Sequence, residues 1–184
     1  MIAVWIILGL VVLVLISGIV IYNGLVRLKT KIENAFAQID VQLTRRHDLI
    51  PNLVETVKGY ASHEKETLDA VISARNMATA ASGPADQAQA EDVLSGALKS
   101  LFALAEAYPD LKANIGFQQL QTELAATEDR IAFSRQYYND NVRIYDEKIL
   151  RFPTVMVAGM LHFSRAEYFE ADEAQRTNVQ VKFD

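Results

Sequence analysis

Met1 to Tyr22 holds no Asp, Glu, Lys or Arg. That absence constrains the chain more than any other feature. Ile2 to Tyr22 is a run of about 20 apolar or small residues, and at ~1.5 Å per residue a helix of that length spans a hydrocarbon core of ~30 Å. Trp5 and Tyr22 stand near its two ends, where amphipathic rings sit at the two membrane–water interfaces. The rival reading is a cleaved secretory signal. That would need a basic stretch before the run and a shorter apolar core, and neither is present. Residues 1–22 are therefore read as an uncleaved anchor that meets lipid through residues 2–22.

All 18 basic and 23 acidic residues lie beyond Tyr22, so the remainder reads as one ordinary charged domain. The net charge of −5 gives no basic stripe for nucleic acid. The chain has no cysteine, which excludes disulfides, thiolate metal sites and acylation at a cysteine. Basic residues decide orientation. Only the α-amine precedes the anchor, whereas Arg27, Lys29 and Lys31, then Arg45 and Arg46, follow it. This places the N-terminus outside and the domain in the cytoplasm, on a single-pass protein of the cell's inner membrane.

From Leu25 the apolar spacing is helical: Leu28, Ile32, Ala35 with Phe36, Ile39, Leu43. The anchor is expected to run on as one helix to about Arg46. Asp48-Leu-Ile-Pro51 then reads as a break, with Asp48 as N-cap and Pro51 in the first turn of a new helix. The alternative is one continuous, kinked helix, because Pro51 removes the bond to the carbonyl of His47. A second apolar stripe follows: Ile50, Leu53 with Val54, Val57, Tyr60 with Ala61, Leu68, Val71 with Ile72. It fades at Gly83-Pro84. A third helix carries Leu94, Leu98, Leu101 and Tyr108 and ends at Pro109. Asn114 is placed to cap the fourth, which carries Phe117, Leu120, Leu124, Ile131, Tyr138, Val142, Tyr145 and Ile149 until Pro153 stops it. All four prolines are thus expected at element boundaries. Helices two and four come out at ~50 Å each, the soluble part of helix one and helix three at ~35 Å. The expected fold is all-α: the anchor continues into an antiparallel four-helix bundle over residues 23–152. Residues 153–184 form a tail with a short helix at 154–161. The alternation Val179, Val181, Phe183 suits a strand that is either a frayed end or pairs with another subunit.

No catalytic arrangement is evident. A di-iron bundle needs Glu-x-x-His on two helices, and none of His47, His63 and His162 has a Glu three residues before it. Glycine loops for phosphate, a nucleophile elbow and zinc spacing are all missing. No cofactor and no metal are expected. Five charges do fall on apolar stripes: Arg46, Glu64, Arg75, Glu128 and Arg135. A charge facing a bundle core is costly unless paired. They form a polar site, or a network fixing helix register, or a surface toward a neighbouring subunit.

Arg45-Arg46-His-Asp48-Leu-Ile-Pro51-Asn52-Leu-Val and the following Val-Lys-Gly-Tyr60 resemble the signature of the LemA family. So do Glu106-Ala-Tyr108-Pro109-Asp110-Leu-Lys-Ala-Asn114, Phe117, Glu128, Tyr137-Tyr138-Asn139-Asp140 and Phe152-Pro153. The resemblance covers nearly the whole chain in order. It departs at His47, where an aromatic or basic residue is common, and at Asp146, where Asn is usual. It implies one membrane helix, an antiparallel bundle exposed to the cytoplasm, and no established catalytic role. Relatives in the family include a protein needed to form magnetosome membranes and others tied to envelope stress and membrane proteases. The expected function is a non-enzymatic, self-assembling scaffold that organises or remodels the membrane as a homo-oligomer. The alternative is an adaptor for a membrane protease or transporter.

Overall fold

The computed structural model describes residues 1–170. Six helices follow in order: α1 (Ile2–Lys58), α2 (Lys65–Ala80), α3 (Pro84–Ala105), α4 (Pro109–Lys112), α5 (Ile115–Leu150) and α6 (Thr154–Met160). The all-α bundle with one long apolar N-terminal helix is therefore as expected. The most apolar stretch at the start of α1 has none of its residues buried among the described residues.

The first correction is at Pro51. α1 does not break there; it runs unbroken for 57 residues with Pro51 inside. Asp48 is an exposed mid-helix residue and caps nothing. Proline has no N–H, so the His47 carbonyl four residues earlier loses its helical donor. Arg75 Nε, from α2, donates to that carbonyl at 2.8 Å. A neighbouring helix thus supplies the bond that Pro51 takes away.

The chain reverses eight residues later instead. Gly59 follows the last turn of α1, and Ser62 to Glu66 holds five polar residues in succession. α2 is therefore 16 residues, not the ~50 Å rod expected for helix two. Three prolines do mark boundaries: Pro84 and Pro109 open α3 and α4, and Pro153 precedes α6. Pro109 begins a helix rather than ending one, since α3 has already stopped at Ala105. Gly83 sits at φ +89°, a conformation a side chain would oppose, and turns the chain from α2 into α3. Asn114 caps α5 as expected, its side chain accepting from the Phe117 N–H at 2.9 Å.

The long helices alternate in direction. Phe36 meets Tyr138 and Arg45 approaches Glu123, so α1 and α5 are antiparallel. The Arg75–His47 and Gln87–Ala78 bonds set α2 against α1 and α3 against α2 in the same way. α5 has 36 residues, about the length of α1 beyond its anchor, whereas α2 and α3 have 16 and 22. The bundle is accordingly four helices deep only at its far end. There Ile50, Leu53, Val57, Val71, Leu94, Leu101 and Phe117 share one core. Nearer the anchor α1 and α5 form a two-helix stalk, with a second core of Leu25, Ile39, Ile131, Tyr138, Val142, Tyr145 and Phe169.

A strap completes the stalk. α6 ends with His162 at φ +57° and the Phe163 N–H bonded to the Ala158 carbonyl, a Schellman-type reversal. Residues 163–170 then run back along α5 without regular structure. Tyr145 and Tyr138 donate their hydroxyls to the carbonyls of Ser164 and Glu167 at 2.9 and 2.7 Å. Asn139 exchanges two bonds with the Phe169 backbone. Burial, with Glu167 adding, pushes the Tyr138 phenol up to about 12, so it stays a neutral donor at any physiological pH. Phe169 is fully buried. Up to this point the C-terminal stretch is part of the packed domain and not a loose tail. The proposed strand at 178–183 lies outside the described residues.

The Pro51–Arg75 pairing is open to a double-mutant cycle in denaturant unfolding of the full-length protein. Arg75→Ala is expected to cost ~1.5–3 kcal/mol, as loss of a hydrogen bond to a charged donor does. In a Pro51→Ala background, where the helix regains its own N–H, most of that cost should vanish. Equal costs in both backgrounds would refute the compensation. Asp48→Ala should stay within ~0.5 kcal/mol, as for an ordinary surface site.

Candidate functional site

The polar groups of the bundle meet at its middle, where the stalk widens to four helices. α1 brings Arg46 and His47 inward because both fall on the stripe of Ile39, Leu43 and Ile50. α3 opens there, and its first turns carry Gln87 and Glu91. The Glu91 carboxylate is 2 % exposed. It accepts from Arg46 Nη1 at 3.0 Å, from His47 Nε2 at 2.6 Å and from Gln87 Nε2 at 3.1 Å. Arg46 Nη1 also lies 3.1 Å from the Glu128 carboxylate on α5, and Nη2 donates to Ser95 Oγ at 2.7 Å. Gln87 donates in addition to the Ala78 carbonyl near the end of α2. The four long helices are thus tied at one level. Because a carboxylate only accepts, the proton of a neutral His47 belongs on Nε2.

The charges nearly balance: Arg46 and Arg75 against Glu91 and Glu128. Removing one partner of a buried pair costs ~3–5 kcal/mol, because the other charge is left stranded. Arg135, half-buried, lies over the Phe169 ring at 5.0 Å and 3.9 Å from Asp92, linking the strap and α3 to the same region. Of the five stripe charges, Arg46, Arg75, Glu128 and Arg135 come together here. Glu64 does not.

Glu64 belongs to a second cluster at the far end. It accepts from the Tyr108 hydroxyl at 2.9 Å, and this bond, with burial, raises the Tyr108 phenol above its ordinary value. Asn114 Nδ2 donates to the Tyr60 oxygen at 2.9 Å. Glu106 pairs with Lys112, while Pro109 and Asp110 form the first turn of α4. These contacts close the two reversals at that end. Tyr138 and Asn139 make the third cluster, the strap, with Pro153 leading into α6. Arg45 and Asn52 are exposed; Arg45 lies 3.8 Å from Glu123, a surface pair of little worth.

The sequence pattern alone does not single out Glu91, Gln87 or Ser95, and His47 stood out only as a departure. A signal was present. Gln87, Glu91, Leu94, Leu98, Leu101 and Ala105 continue one stripe at helical spacing, two of its members polar. Among the described residues no group of three or more His, Cys, Asp or Glu could hold a metal ion. An open groove of about 440 Å³ between α3 and α5 has the Arg46 and Glu128 pair at one end and Leu98, Phe102 and Leu124 along its apolar part. The buried part of the network, Glu91 with Arg46, His47 and Gln87, finds its partners within the bundle and so ties the register of its helices.

Apolar N-terminal segment, stalk and polar-tied bundle define a class: helical proteins in which one helix long and apolar enough to cross a membrane runs on into the folded domain. The sequence pattern described as the LemA family matches residues 35–183. Protein LemA of Metamycoplasma hominis is 31% identical over 163 residues, which cover 86% of this chain and 73% of that protein. Magnetosome protein MamQ 2 of Paramagnetospirillum magneticum is 26% identical, and Magnetosome protein MamQ of Magnetospirillum gryphiswaldense 25%. Each of those comparisons covers 86% of this chain and 68% of the relative. The chain belongs to the LemA family. None of the relatives' names states a catalytic activity.

Glu91→Ala takes the buried carboxylate from Arg46, leaving it only the half-exposed Glu128 and Ser95, and leaves His47 without its acceptor. It should lower unfolding stability by ~3–5 kcal/mol. Arg46→Lys should recover little, because a point ammonium cannot reach two carboxylates and a hydroxyl as a planar guanidinium does. A loss under ~1 kcal/mol for Glu91→Ala would show that the network is a surface-like pairing.

Proposed function

We propose that this protein is a non-enzymatic, membrane-anchored scaffold that assembles with copies of itself through its stalk. The observation that carries the reading is an uncovered apolar face there. The two-helix stalk has the strap on one side. Phe133, Tyr137 and Ile144, at helical spacing on α5, remain exposed on the stalk, with Phe133 at 73 %, and Val41 is exposed on α1. An exposed apolar surface of this kind on a folded domain marks an interaction site. Gly9, Ser17, Gly18 and Gly24 would let neighbouring anchors approach closely. α1 is continuous from anchor to bundle, so copies joined at the stalk would hold their anchors at a set angle and impose shape on the shared bilayer. The names of the magnetosome relatives are in keeping with such a role.

In this reading residues 1–22 span the inner membrane with the N-terminus outside, and the bundle, 23–152 with the stretch 153–184, lies in the cytoplasm. A second reading, an adaptor for another membrane protein, has the groove between α3 and α5 in its favour.

Native mass spectrometry of the full-length protein in mild detergents and in nanodiscs tests assembly. Oligomers are expected, and Val41→Glu with Phe133→Glu should shift them to monomer without unfolding the exposed stalk face. A protein that stays monomeric at concentrations above those in the cell would leave the adaptor reading standing. Topology has its own check. Protease added to intact spheroplasts should spare residues 45–184, and cleavage there without lysis would reverse the orientation.

A further inference from the structure

The segment from Phe152 to Ser164 contains no Asp, Glu, Lys or Arg and is bounded by Arg151 and Arg165. It holds α6 and the reversal after it. One side of α6 is accounted for: Thr154 and Ala158 are buried against the stalk. The other side is not. Met156 and Met160, one turn apart, are 61 % and 79 % exposed, Phe152 just before the helix is 76 % exposed, and Val155 and Leu161 flank them. A helix that is apolar all round is ordinarily buried on all sides. This one presents its largest side chains outward.

Its place in the fold says what covers them. Ala158 shares the stalk core with Leu25 and Ile149, so α6 lies at the end of the stalk from which the anchor emerges. The Phe163 ring packs edge-on against Tyr22, the last residue of the apolar run, with centroids 6.0 Å apart. The exposed face of α6 is thus continuous with the lipid-facing surface of the anchor. Lys29 and Arg165 line a crevice of about 580 Å³ there, against one carboxylate, Glu33, and together with His162, Tyr22 and Phe163. Cations beside apolar walls at the foot of an anchor suit anionic headgroups over acyl chains.

We propose that α6 is a second membrane contact: Phe152, Met156 and Met160 enter the adjacent leaflet as an interfacial wedge beside the anchor. The occupant of this face is lipid. A short helix so placed sits ~5–10 Å into the headgroup and acyl boundary of one leaflet. The wedge also fixes the rotation of α1 about its own axis, because only one orientation brings α6 down onto the bilayer. The inference rests on residues 2–22 being the anchor; it does not need self-assembly.

The chain lacks cysteine, so single cysteines can be labelled cleanly. Full-length protein carrying Leu10→Cys, Phe133→Cys, Met156→Cys or Met160→Cys would be labelled with an environment-sensitive fluorophore. Each would be placed in nanodiscs of phosphatidylcholine and phosphatidylglycerol containing nitroxide-labelled lipid. Quenching at positions 156 and 160 should be several-fold above that at 133, and strongest with the nitroxide near the headgroup. Position 10 should respond most to a nitroxide deep in the chains. Quenching at 10 but not at 156 and 160 would overturn the wedge and leave the anchor intact. Loss of quenching at 10 as well would remove the anchor reading on which the wedge rests. An unquenched label at 156, together with a disulfide between copies when unlabelled Met156→Cys protein is treated with an oxidant, would assign the face to self-assembly and also overturn the proposal. Circular dichroism of each variant shows that these exposed substitutions leave the fold in place.

Discussion

The carboxylate of Glu91 has left water, and much of the bundle follows from that. A buried charge needs partners in fixed places, and here they are Arg46 and His47 across on α1 and Gln87 one turn earlier on α3 itself. Arg46 cannot reach Glu91 and Glu128 at once unless α1 lies between α3 and α5 at one rotation. Gln87 cannot bond both Glu91 and the Ala78 carbonyl unless α2 ends where α3 begins. Apolar stripes alone would tolerate a slip by one turn. The polar ties do not, because a slip of that size strands a charge. The same level is where the four-helix half gives way to the two-helix stalk, so the network also marks the seam between two cores.

Pro51 extends that logic into the backbone. Its ring removes a donor, and the freed carbonyl belongs to the residue whose imidazole meets Glu91. His47 is therefore held twice, by its side chain from α3 and by its carbonyl from α2. A proline inside a helix usually bends or ends it. Here the deficit becomes the acceptor through which α2 is docked.

How much of this was legible in the sequence differs from element to element. The stripes were plain: Leu25, Ile39, Leu43, Leu53, Val71, Leu101, Ile131 and Ile149 are all in the core. So was the Asn114 cap, since capping is a local matter. Pro51 misled because local rules favour a helix start, while the group that rescues the helix lies 24 residues further on. Gly59 was overlooked because Ala61 and Leu68 prolong the stripe across the turn. Arg46, Arg75, Glu128 and Arg135 stand out as charges on apolar stripes, whereas Glu91 precedes Leu94, the first large apolar residue of its stripe, and so carries no such mark. The strap was least legible. Its backbone is irregular, and Phe169 is buried through bonds from Tyr138, Asn139 and Tyr145 that have no sequence period.

The uninterrupted length of α1 has a mechanical consequence. By rise per residue, about 54 Å of that helix stands beyond the anchor. It is a lever with its fulcrum in the bilayer. Transmembrane helices tilt by ~20° on average to match the thickness of their membrane, so a change in thickness turns the lever. A further tilt of roughly 10° would carry the far end sideways by about 9 Å, given that length. That distance approaches the width of a helix. With residues 2–22 in a bilayer, a small difference in the lipid around them would be magnified into the position of the bundle's far end.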